Sequence, residues 1–237
     1  AYIDTFSLDS DTPCYVWEEN LGNGDEKYVA EAISHEVGHT LNLYHDGTST
    51  VGYYEGHSSP DGGWAPIMGV GYYKPIAQFS KGEYAGANNT EDDLARMTVS
   101  YNIPYITDDY GNTTAAAFPL PESSFQVDGL IERNTDVDYF RFEAGAGTFA
   151  INVYVDSRSP NLNVRAELRN SVGNIVATSD PAGTLSASFN LPGMAAGTYY
   201  LMVDGVKSGD TASTGYTDYG SIGTYSVGGT VPSAGAP

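Results

Sequence analysis

Three of the four histidines in this chain of 237 residues, His35, His39 and His45, fall close together, and Glu36 follows the first of them. On a helix, His35 and His39 are four residues apart and share one face. Two imidazoles one turn apart can both reach a single zinc ion at about 2.0–2.1 Å. Glu36 beside them is placed to hydrogen-bond a water on that ion and to take its proton. A third ligand is needed, and His45 is six residues past His39, out of reach of a straight helix. Asn42 lies between them, and asparagine is one of the few non-glycine residues that accept the left-handed conformation. A helix ending there can return His45 to the metal. The alternative, that these are ordinary surface or core histidines, does not account for the clustering.

The element that must carry this pair is a helix in which Val29, Ile33, Val37 and Leu41 recur every fourth residue. That apolar stripe lies about 200° around from the histidines, so it is expected to bury while the histidine face opens to a cleft. Asn23 or Asp25 can cap its start. Residues 1–6 and 14–17 read as strands. Residues 88–102, with Asn89 or Thr90 before an acidic first turn, read as a second helix. A Gly- and Tyr-rich stretch between the helices reads as loops. Tyr72 and Tyr73 read as packing residues, His57 as a solvated histidine, and Glu91-Asp92-Asp93 as a helix-start feature. Cys14, the lone cysteine, excludes a disulfide framework within the chain and reads as a small buried hydrophobe.

The chain has 10 basic and 30 acidic residues, a net charge of −20. Nucleic acid and anionic membrane surfaces are therefore poor partners, whereas carboxylates are available to calcium. No run of 18 apolar residues is present, so no helical membrane span is expected. The second half alternates apolar and polar residues with period two, at Phe149-Ile151-Val153-Val155, Val164-Ala166-Leu168, Leu185-Ala187-Phe189-Leu191 and Tyr199-Leu201-Val203. With similar runs near 125–131, 138–143, 173–179 and 223–228, this gives about eight short strands and an antiparallel, jelly-roll-like β-sandwich. The expected organisation is a catalytic part over 1–118, a linker over 119–124, the sandwich over 125–230 and a tail over 231–237.

The run His35-Glu36-Val37-Gly38-His39-Thr40-Leu41-Asn42-Leu43-Tyr44-His45-Asp46 resembles the zinc signature of the metzincin peptidases, with Asn42 where glycine is usual. Asp46 is similar to the adamalysin/reprolysin branch, and Ala65-Pro66-Ile67-Met68-Gly69 resembles the Met-turn that underlies the zinc site in that family. The resemblance implies an α+β zincin-like fold and a zinc-dependent endopeptidase. His35, His39 and His45 would be the zinc ligands, Glu36 the general base and Met68 the Met-turn residue. A tyrosine that assists catalysis in some metzincins has no counterpart, since Val70 holds its position. Thr135–Phe142, Gly197–Val203 and Gly215–Ser221 resemble the bacterial pre-peptidase C-terminal domain. That domain implies a secreted bacterial setting and, in some members, calcium. Asp136 and Asp138 are candidate Ca2+ ligands; otherwise they are exposed turn carboxylates.

A metzincin has more chain ahead of its zinc helix than the 34 residues here, and no signal peptide is visible. The expectation is a processed or partial chain whose catalytic sheet is completed by an N-terminal segment or a second chain. The function expected is a secreted, extracellular zinc endopeptidase acting on a protein or peptide substrate. The alternative is a surface- or matrix-binding protein in which the sandwich works and the protease part is structural.

Overall fold

The computed structural model describes residues 1–7, 13–121 and 123–235. Glu122 of the expected linker, and Ala236 and Pro237 of the expected tail, lie outside the described residues. The chain forms two compact units, one of residues 1–105 with 208–220 and one of residues 106–207 with 221–237. The division thus falls at Tyr105–Ile106 and not in the 119–124 linker. Phe118–Pro119 (β3) pairs with a sandwich strand, and Leu120 is buried with its N–H donated to the Arg141 carbonyl. Residues 208–220 leave the sandwich and bond within the first unit, where Tyr219 Oη accepts from Leu94 N at 2.7 Å.

The first unit is built around one long helix, α1 (Glu26–Thr40). The Asp25 carboxylate accepts from the N–H groups of Lys27 and Tyr28, capping donors that the first turn leaves without partners. Two short parallel strands, β1 (Trp64–Pro66) and β2 (Ile76–Gln78), are buried throughout. The apolar stripe of α1 does not bury as expected: Ile33 and Val37 are open, and only Leu41 is inside. The helix instead buries Ala32, Gly38, His39 and Thr40, and at Gly38 the missing Cβ lets the Met68 side chain approach.

Residues 1–6 and 14–17 are not strands. Asp4 has φ +58°, and the N–H groups of Asp4, Thr5 and Phe6 donate to the His39 and Thr40 carbonyls, so this segment caps the end of α1 and pairs with no sheet. The expected helix over 88–102 shrinks to one turn, α2 (Asp93–Ala95), followed by a π-helical turn over Arg96–Ser100. Asp92 caps it, in place of the expected Asn89 or Thr90, and Asp93 turns inward to accept from Ser80 N.

The second unit is a sandwich of β3 (Phe118–Pro119), β4 (Ser124–Ile131), β5 (Val137–Ala144), β6 (Gly147–Val155), β7 (Val164–Asn170), β8 (Ile175–Ser179), β9 (Ala187–Met194), β10 (Gly197–Gly205) and β11 (Gly223–Thr230). One sheet runs β3-β5-β10-β7-β8 and the other β4-β11-β6-β9. Apart from the short parallel edge at β3, every pairing is antiparallel, and the order of β4 to β11 is that of a jelly roll. The period-two residues meet between the sheets. Phe149, Ile151, Val153, Val164, Ala166, Leu168, Leu201 and Val203 are wholly buried there, with Phe140 and Phe142.

Candidate metal centre

His35 and His39 lie on one side of α1, edge to face, with ring centroids 4.8 Å apart. Helix α1 ends in a Schellman motif: Leu43 N donates to Gly38 O and Asn42 N to His39 O, both at 3.0 Å, with Asn42 at φ +61°. The chain therefore reverses at Asn42 and brings His45 back, its Nε2 2.9 Å from His39 Nε2. One ring nitrogen from each of His35, His39 and His45 lies within 4.8 Å of the others.

A left-handed asparagine is strained more than glycine and less than alanine. Asn42→Ala is expected to lower unfolding free energy by about 1 kcal/mol, and Asn42→Gly to leave it within a few tenths or raise it. Urea unfolding of the metal-free protein checks this. An alanine variant as stable as wild type would show that the turn is not what positions His45.

The other ring nitrogens decide what the imidazoles can do. His35 Nδ1 lies 2.8 Å from the Ile67 carbonyl and His39 Nδ1 2.8 Å from the Leu43 carbonyl. A carbonyl only accepts, so each Nδ1 carries the proton and each Nε2 keeps a bare lone pair, the tautomer a metal requires. Burial lowers the pKa of His35 and, with the neighbouring imidazoles, takes His45 down to about 4. His35 and His45 are thus held toward the neutral form. Three converging imidazole nitrogens, two of them from rings whose tautomer a backbone carbonyl fixes, fit a zinc ion.

Beneath them the chain turns over Pro66–Gly69, where Gly69 N donates to Pro66 O. Met68 is fully buried, and a Cβ added at Gly38 would meet its Sδ at 2.6 Å. Asp46, after the third histidine, is also buried. Its N–H donates to Met68 O at 2.9 Å and its Oδ2 accepts from Ser80 Oγ at 2.7 Å. Burial pushes Asp46 up to about 7 and Asp93 behind it up to about 9, the latter also through the nearness of Asp46. Glu36 sits on α1 beside the histidines.

Val70 donates its N–H to Tyr54 O, while Tyr72 and Tyr73 pack against Tyr28. His57 is not a solvated residue: Nδ1 meets Tyr54 Oη at 2.8 Å and Nε2 meets Gly215 O at 2.5 Å. Cys14 is half-buried, its thiol 3.6 Å from Glu36 O. Sequence reasoning missed the carbonyls of Ile67 and Leu43, which no side-chain pattern encodes, and Tyr53, whose ring centroid lies 4.2 Å from that of His45.

The second unit holds a separate acidic site. Asp108, Glu132 and Asp136 each bring a carboxylate oxygen within 4.8 Å of the others, and Asp108, Asp109 and Asp138 do the same. Asp136 and Asp138 are not exposed turn carboxylates but are 2% and 0% exposed. Glu132 Oε2, both oxygens of Asp136 and Asp138 Oδ1 are buried without a hydrogen-bond partner. Burial, with the neighbouring carboxylates, pushes Asp136 up to about 8 and Asp138 up to about 7. Orphaned buried carboxylate oxygens are costly unless something positive meets them, and an all-oxygen donor set fits calcium.

Residues 136–205, within the sandwich, match the family model of the bacterial pre-peptidase C-terminal domain. Among solved structures, the chain is similar to the pre-peptidase C-terminal domain of collagenase from Bacillus anthracis at 19% identity and a TM-score of 0.37, covering 51% of this chain and 100% of that one. It is similar to the periplasmic inhibitor of g-type lysozyme from Aeromonas hydrophila at 16% identity and a TM-score of 0.34, over 48% and 94% of the two chains. It is also similar to the Yersinia pseudotuberculosis-derived mitogen, at 12% identity, a TM-score of 0.31 and coverage of 47% and 87%. No curated protein matches the chain.

Proposed function

We propose that the first unit is a zinc-dependent endopeptidase and that the sandwich is its accessory domain. The observation that carries this reading is the convergence of His35, His39 and His45 next to Glu36 and above Met68. Zinc held by the three imidazoles would supply Lewis acidity, drawing the pKa of a water toward about 7. The Ile67 and Leu43 carbonyls hold the imidazoles in the ligand tautomer. Glu36 accepts the proton of the attacking water and passes it to the leaving amine. Met68 and Asp46 fix the floor and the third-ligand loop, so the histidines are ordered before substrate arrives. The substrate is a protein or peptide.

The match of residues 136–205 to the bacterial pre-peptidase C-terminal domain supports an extracellular or periplasmic bacterial setting. The open Ile33 and Val37 favour a further segment or second chain over that face of α1. A calcium ion held by Asp108 with Glu132 and Asp136, or by Asp108 with Asp109 and Asp138, is supported by the orphaned carboxylate oxygens.

The test is hydrolysis of unfolded casein by the zinc-loaded chain against the same protein stripped of metal. Cleavage by the loaded form alone, restored when zinc is returned, is expected. Equal cleavage by both forms would overturn the zinc mechanism, and no cleavage by a protein with zinc bound would overturn the peptidase reading in favour of the matrix-binding one.

A further inference from the structure

The three imidazoles are not held alike. His35 and His39 each have a backbone carbonyl on Nδ1, whereas among the described residues no hydrogen bond orients His45 through Nδ1. Outer groups that orient a metal-binding imidazole set its affinity nearly as strongly as the ligand itself. Something else must therefore fix the His45 ring.

The geometry points to Tyr53. Its ring lies over His45 at 4.2 Å and 41° between planes, and faces His35 at 6.3 Å and 26°. Contacts of this length are those of packed aromatic pairs. The loop that presents Tyr53 is tied down on both sides. Tyr54 N donates to Asp46 O at 2.7 Å, and Tyr54 O accepts from Val70 N at 2.9 Å. The Tyr54 ring stacks on Tyr84 at 4.2 Å and 6°, and Tyr84 Oη in turn donates to Gly47 O at 2.9 Å. At Gly47 the loop folds back so closely that an added Cβ would meet Val51 O at 2.4 Å and Gly52 O at 2.7 Å. Residue 53 is thereby anchored to the residue after His45.

Tyr53 is 47% exposed, so core packing does not account for its size. Its neighbour Tyr54 spends its hydroxyl on His57, whereas among the described residues the contacts of Tyr53 are through its ring, to two ligand imidazoles. We propose that Tyr53 is a positioning residue of the metal centre, its ring holding His45 in the ligand orientation where a hydrogen bond holds the other two. This rests on the metal-centre reading above.

The test measures zinc affinity of the metal-free full chain by competition with a chromophoric chelator, for wild type, Tyr53→Phe, Tyr53→Ala and His45→Ala. Far-UV circular dichroism and thermal unfolding of each metal-free variant show that it is folded. Tyr53→Ala is expected to weaken zinc by about tenfold, with Tyr53→Phe within about twofold of wild type and His45→Ala weaker than all of them. The visible spectrum of the Co2+-loaded protein should change in the alanine variant and be restored in the phenylalanine one. If Tyr53→Ala binds zinc like wild type while His45→Ala does not, the assignment to Tyr53 falls and the metal centre stands. If Phe loses as much as Ala, the hydroxyl and not the ring is at work, and the proposal is overturned. If wild type itself binds no zinc, the metal-centre reading fails and takes the proposal with it.

Discussion

Glu36→Gln in the zinc-loaded protein is expected to lower kcat for hydrolysis of an unfolded protein by about 10²–10⁴-fold while zinc stays bound at one ion per chain. The substitution keeps the size and nearly the helix propensity of the side chain, so α1 is undisturbed. Glu36 is not one of the converging imidazoles, and neither carbonyl that fixes their tautomers involves it. What the amide lacks is a lone pair basic enough to take a proton from water. The loss should therefore fall on kcat and kcat/KM together, with KM little changed, as for an interaction made in the transition state. Metal analysis run beside the kinetics separates the two ways of failing. A glutamine variant that retains activity removes Glu36 from the mechanism, and one that loses zinc shows that the residue is structural.

How much of this was legible in the sequence differs between the two units, for physical reasons. In the sandwich, each strand has one face against the core, so alternation at Phe149-Ile151-Val153 or Val164-Ala166-Leu168 is a direct record of burial. The strands found match the runs read from the sequence closely. The histidine spacing and Asn42 were equally readable, because an i,i+4 pair and a left-handed residue are local facts. Long-range placement was not. Helical periodicity over 29–41 says which side of α1 is apolar but not whether anything in this chain covers it, and Ile33 and Val37 are open. The expected second helix was cut short by partners remote in sequence. Asp93 turns inward to Ser80, and Leu94 N goes to the hydroxyl of Tyr219. The excursion of 208–220 into the first unit, and the loop closure that sets Tyr53 over His45, likewise depend on backbone contacts that no residue pattern marks.

Calcium is expected to raise the melting temperature of the sandwich, and replacing Asp136 and Asp138 together by asparagine is expected to abolish that response. At a calcium concentration about 100 times its dissociation constant, binding to the folded state alone adds about 2.7 kcal/mol. For a unit of this size that is about 10 °C. The burial is what makes the effect large. Asp136 and Asp138 are almost sealed from solvent, three of their four carboxylate oxygens have no hydrogen-bond partner, and Asp108, Asp109 and Glu132 add further negative charge beside them. Without a cation the fold relieves that desolvation and repulsion only by taking up protons, which calcium must then displace. The double asparagine variant, equal in size and uncharged at both positions, should therefore fold without calcium at least as stably as wild type. Differential scanning calorimetry of the full chain, dialysed free of divalent ions and then titrated with CaCl2 or with MgCl2, reads both effects. Calcium should outperform magnesium, because a crowded set of protein carboxylates suits a larger ion that tolerates irregular coordination. A wild-type melting curve indifferent to calcium would sink the assignment. A shift that survives in the double variant would place the calcium site elsewhere in the chain and leave the buried carboxylates to be held by their own protons.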